Sequence, residues 1–144
     1  MTAIETYTRA MRRSRVPAEV DAWSEKIISA AIEVHRTLGP GFLESVYEQS
    51  LAVELKSRGI HFSRQHPIAV TYKGATVGEQ RVDFVVAESI ILELKAVEAL
   101  SNVHEAQVIS YLKAANLKLG LLLNFNVALL RHGLRRVVHP DYFK

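Results

Sequence analysis

The sequence predicts an α/β or α+β sandwich, a mixed β-sheet flanked by helices in the order α-α-β-β-β-β-α-β-β. Three observations carry this reading. Ile27, Ala31, Val34 and Leu38 recur at helical spacing. The stretch RVDFVVAESIILELKA alternates apolar residues with a period of two on both sides of Ala87-Glu88-Ser89. A helical segment over 102–116 is followed by an apolar run over 119–125 that reads as a buried strand.

Taken in order, residues 1 to 19 lack periodicity and read as a flexible or loosely docked arm, with 20–144 forming a single domain. The first helix spans Trp23 to Leu38, and Gly39-Pro40-Gly41 stops it. A second helix starts at Phe42 or Leu43, runs to Ser57 and is capped by Gly59. Strands follow at 60–64 and 68–72, and Lys73-Gly74 makes a turn. Residues 75–79 extend a strand into the 80–95 hairpin. After the third helix and the strand over 119–125, a more polar strand runs over 134–139.

The hairpin is the most informative segment. Centred on Glu88, it pairs Val86 with Ile90, Phe84 with Leu92 and Val82 with Leu94 on one apolar face. The other face carries Val85–Ile91, Asp83–Glu93 and Arg81–Lys95. Asp83 and Glu93 then stand opposite each other, with Cβ atoms roughly 5 Å apart, where like charges repel. A shared cation or a shared proton would relieve that repulsion, and hard divalent cations such as Mg²⁺ prefer carboxylate oxygens. Lys95 points the same way and adds an ammonium. The plain alternative is a pair of solvated acids on the exposed face of an ordinary hairpin.

The second helix carries acids of its own. On a helical wheel, Glu44, Tyr47, Glu48, Leu51 and Leu55 fall in one stripe, while Phe42, Val46 and Val53 define another side. Carboxylates on an inward stripe call for a metal, a basic partner or a cleft. Alternatively, Glu44 answers the helix dipole and Glu48 sits in a rim salt bridge.

Composition narrows the field. The 144 residues have 49% hydrophobic and 23% charged content, ordinary for one soluble domain. The sequence contains no cysteine, which excludes thiolate chemistry and disulfides. The longest apolar run, over 120–130, is interrupted by Asn124 and Asn126 and falls short of the roughly 18 residues of a membrane span. The N-terminus lacks the order of a signal peptide, so a cytoplasmic protein with no membrane partner is expected. A net charge of +3 permits a polyanion partner. Basic residues gather at Arg9, Arg12, Arg13 and Arg15, again at Lys56, Arg58 and Arg64, and at Arg131, Arg135 and Arg136. Such clusters are more often solvated surface than nucleic-acid contacts. The six histidines show no close ligand spacing.

The stretch HRTLGPGFLESVYEQSL sets Gly41, Glu44 and Tyr47 at GxxExxY spacing, with His35 before and Glu48 after. Together with Asp83 and the Glu93-Leu94-Lys95 triplet, it resembles the GxxExxY protein family, grouped with the PD-(D/E)xK nuclease-like superfamily. The resemblance covers about residues 24 to 140, although Val82 stands where the superfamily usually has proline. It implies a restriction-endonuclease-like core. It further implies Mg²⁺ (or Mn²⁺) bound by Asp83, Glu93, the Leu94 carbonyl and a helix glutamate, Glu44 or Glu48, with Lys95 assisting catalysis. Gln107 and Tyr111 resemble a Gln-x-x-x-Tyr element of some exonuclease branches, and Tyr47 and His35 are secondary candidates. The function so implied is hydrolysis of phosphodiester bonds in DNA, or less readily RNA. A catalytically inactive module of the same fold, binding nucleic acid or protein, is the alternative, and a homodimer is compatible with either.

Overall fold

The computed structural model describes residues 16–142. Helix α1 spans Ala18–Leu38 and α2 spans Glu44–Ser57. Strands β1 (Phe62–Tyr72), β2 (Ala75–Val86) and β3 (Ile90–Lys95) follow, then α3 (Asn102–Ala115), β4 (Leu119–Asn124) and β5 (Leu134–Val138). Two short 3₁₀ turns, Leu130–His132 and Pro140–Tyr142, flank β5. The five strands form one mixed sheet in sequence order. Only the β3–β4 pair is parallel, because α3 carries the chain back across the sheet between them.

The two sheet faces bury two different clusters. On one face Ile27, Ala31 and Val34 of α1 and Tyr47, Leu51 and Leu55 of α2 pack on Phe84, Leu92, Leu94, Leu121 and Leu123. On the other, Val108, Tyr111 and Leu112 of α3 pack on Ile68, Val85, Ile91, Leu122 and Val137. The central strands are therefore covered on both sides, which explains why β4 is buried along its whole length.

Most elements lie where the sequence places them, with three differences. First, α1 starts at Ala18, one turn before Trp23. The Pro17 carbonyl accepts the Val20 and Asp21 amides, and Glu19 and Asp21 complement the dipole of that turn. An electrostatic start leaves no apolar period to read. The arginines at 9, 12, 13 and 15 lie outside the described residues. Second, the segments 60–64 and 68–72 are not two strands. They belong to the single long strand β1, so three strands, not four, precede α3. Gln65 and Pro67 look like terminators, but β1 is an edge strand, where a proline costs no ladder hydrogen bond. Third, the β2–β3 ladder ends at Phe84–Leu92, and the expected Val82–Leu94, Asp83–Glu93 and Arg81–Lys95 backbone pairs do not form. Val82 lies in the α3-side cluster with Ile68 instead. Among the described residues no helix is long and apolar enough to cross a membrane.

Candidate functional site

Where the β2–β3 ladder stops, side chains take over its hydrogen bonds. The Asp83 N–H donates to Glu93 Oε1 at 2.8 Å, and the Leu94 N–H donates to Asp83 Oδ2 at 2.8 Å. Each acid thus caps the other's strand, and the two are locked together across a gap between diverging strands. Glu93 is 6% exposed, the only charged residue on an otherwise apolar strand interior from Ile90 to Leu94. Burial, and then the charge of Asp83, push its carboxyl up to about 7. Burial raises Asp83 as well, with Glu48 adding to the effect and the Leu94 amide opposing it.

Helix α2 brings Glu44 to the same place. Its carboxyl is raised by partial desolvation and by Asp83 and Glu48, while Lys95 and the Ala96 amide favour its charged form. The Gly39-Pro40-Gly41 junction sets this position. Gly41 has φ 109°, which side-chain-bearing residues rarely adopt. The Tyr47 hydroxyl donates to the Gly39 carbonyl at 2.6 Å and accepts the Phe42 amide at 3.2 Å, tying the junction to the helix. The Tyr47 ring stacks on Phe125 at 4.6 Å between centroids. Glu44 and Tyr47, three apart on one helix face, thus share a stripe that is exposed at Glu44 and in the core at Tyr47.

Glu48 and Glu44 play different parts. Both Glu48 oxygens are occupied, Oε2 by Arg64 and Oε1 by Gln65, each at 2.7 Å. Glu44 is exposed and lies within electrostatic reach of Lys95, whose ammonium makes no direct ion pair among the described residues. On the other side of the sheet, α3 supplies Tyr111, 6% exposed, with a hydrogen bond from Gln107. Burial and the charges of Glu93 and Asp83 raise the Tyr111 hydroxyl.

The structure therefore brings Glu44, Glu48, Asp83, Glu93, Lys95, Gln107 and Tyr111 to one end of the sheet. Tyr47 supports this cluster from within the core. His35 does not join it. Its Nε2 pairs with the Val127 carbonyl at 2.8 Å and its ring lies 6.1 Å from Phe125, so it fastens the loop after β4. Leu94 contributes its amide to Asp83. Among the described residues no three His, Asp or Glu side chains form a ready-made metal cage.

Sequence reasoning missed three participants. Arg64, read only as part of a basic cluster at the end of the 60–64 segment, and Gln65, in the gap after it, both come from β1. The break in period-two alternation there was the available signal. Asn124, buried opposite Lys95 in the β3–β4 pairing, grips Val97 through its Oδ1 (3.1 Å) and Nδ2 (2.9 Å), fixing the chain just beyond the lysine. Its mark in the sequence is that it interrupts the apolar run over 120–130.

Comparison with known proteins bears on the fold and the family. No curated protein matches the sequence. Among solved structures the chain is similar to one described as the crystal structure of SSO0001, at 18% identity and a TM-score of 0.51. The similarity covers 67% of this chain and 50% of that one, so this chain spans about half the length of that protein, and at this identity the likeness concerns the fold alone. The mixed sheet with helices on both faces is consistent with a restriction-endonuclease-like core. A family model described as the PD-(D/E)XK nuclease superfamily matches residues 21–137, which take in most of α1, the sheet up to the penultimate residue of β5 and every acid of the cluster. On that match the chain belongs to the PD-(D/E)XK nuclease superfamily.

Proposed function

We propose that the protein is a divalent-metal-dependent nuclease that hydrolyses phosphodiester bonds in DNA, and that within the superfamily it falls in the GxxExxY group. The observation that carries this is the reciprocal pair of Asp83 and Glu93, two desolvated carboxylates held against each other by backbone amides with Lys95 beside them. Two carboxylates this close are costly when both are charged, and a cation is the natural relief. The donor set fits Mg²⁺ or Mn²⁺, since every candidate ligand is a hard oxygen. Mg²⁺ keeps several waters and takes one or two carboxylates, so Asp83 and Glu93 are enough protein ligands for it.

Asp83 and Glu93 would hold the ion, with Glu44 rather than Glu48 as the helix ligand, because Arg64 and Gln65 already occupy Glu48. The bound ion would polarise the phosphate and lower the pKa of its water. Lys95 offers an unengaged positive charge for a phosphoryl oxygen as negative charge develops there. Tyr111 and Gln107 border the acids on the α3 side, where a strand of nucleic acid could be held. The GxxExxY assignment rests on what that spacing does here. Gly41 permits the turn, Glu44 faces the acids and Tyr47 ties the two together.

Thermal melting with Mn²⁺ and a plasmid-nicking assay test the proposal together. Mn²⁺ should stabilise the wild type and leave Asp83→Ala unmoved. Mg²⁺-dependent nicking should fall at least about 100-fold in Asp83→Ala, Glu93→Ala and Lys95→Ala. DNA binding without cleavage in any divalent metal would instead identify an inactive binding module.

A further inference from the structure

Among the described residues, five besides glycine have positive φ. Lys73, Ala87 and Glu88 lie in turns, and Asn116 is the αL cap of α3. Gln65, at φ 47°, is the exception, because it lies within a strand. A left-handed residue inside a strand is costly and persists where the surroundings hold it. Here the reward is visible. Gln65 Nε2 donates to Glu48 Oε1 at 2.7 Å and to Asp83 Oδ1 at 3.3 Å, using both of its hydrogens on two carboxylates. The opposite amide orientation would set an oxygen against both acids and is excluded electrostatically. With Leu94 N–H on Oδ2, each Asp83 oxygen has one donor, so the plane of that carboxylate is fixed while each oxygen retains a lone pair. Arg64 holds the other oxygen of Glu48, so β1 as a whole fastens α2 to Asp83.

We infer that Gln65 is a positioning residue of the acidic site, whose carboxamide, bridging Glu48 and Asp83, orients the Asp83 carboxylate for the divalent ion. This rests on the metal-site reading above. Outer partners that orient a ligating carboxylate typically change metal affinity by roughly 10- to 100-fold when removed.

Gln65→Gly and Gln65→Asn separate this role from a part in folding. Glycine and asparagine both accept positive φ, but glycine has no carboxamide and asparagine is one methylene short. Urea denaturation in chelator should give a midpoint equal to or above that of the wild type for both. Calorimetric titration with Mn²⁺ alone should show affinity weakened roughly 10- to 100-fold. Wild-type Mn²⁺ affinity in both variants would overturn the inference, and so would a drop in the urea midpoint large enough to account for the lost affinity. Asp83→Ala, titrated alongside, isolates the underlying reading. If the wild type takes up no Mn²⁺, or Asp83→Ala binds it equally well, the metal site itself fails. An Asp83-dependent wild type with unaffected Gln65 variants sinks the positioning role alone.

Discussion

At Glu93 the site's need conflicts with the fold's stability. Its folded pKa of about 7 lies above the ordinary value of 4.5, so between those two pH values the native state holds more protons than the unfolded chain. Metal-free stability must then fall as pH rises through that window, by up to about 3 kcal/mol, and stay depressed above it. Asp83 and Glu44 shift in the same direction and add to the slope. In Glu93→Gln the slope should shrink, and at pH 8 in chelator this variant should outlast the wild type in urea. An unchanged slope would mean that Glu93 titrates normally. The sequence made Asp83 and Glu93 neighbours through their place in the alternation, and they are neighbours. It could not show that their contact runs through side chain and backbone instead of through paired strands. Period two reports which face a residue takes, not whether an amide meets a carbonyl or a carboxylate. Gln65 was hidden for a related reason, since a left-handed strand residue leaves no mark in hydropathy.

Two elements control how closely the site is drawn together. Helix α2 is held at its start by Tyr47, so Tyr47→Phe should cost about 1–2 kcal/mol in urea denaturation, because the Phe42 amide and the Gly39 carbonyl both lose a partner. Helix α3 approaches the sheet over Gly120, where an added Cβ would meet Val108 Cγ1 at 2.6 Å. Gly120→Ala should therefore cost about 1–3 kcal/mol by overpacking. Val108→Ala in the same chain should recover part of that loss, giving a double-mutant cycle with clear coupling between the two positions. Simple additivity would show that α3 shifts freely. These elements were legible as such, because α2 has its apolar stripe at Tyr47, Leu51 and Leu55 and α3 ends at Asn116 in the left-handed conformation. Their separation was not, since it depends on a glycine in one strand meeting a valine in one helix.

Across the whole molecule, protection is uneven. The β3–β4 centre is sealed between helices, whereas the β1–β2 ribbon is exposed at every residue from Thr71 to Arg81. Amide hydrogen exchange should follow that division, with ribbon amides over 69–80 exchanging orders of magnitude faster than those of Leu121–Leu123. Equal rates would show that the ribbon is packed against something. The fold class was readable from the run of helical and alternating segments. The length of the ribbon was not, because nothing in its composition distinguishes strands that pair with each other from strands that also cover a core. The Lys73-Gly74 tip is correspondingly insulated from everything that determines melting. A foreign peptide spliced between those two residues would lengthen a loop at small entropic cost, so this is the position at which the chain can accept a probe or a fused domain with its interior unchanged.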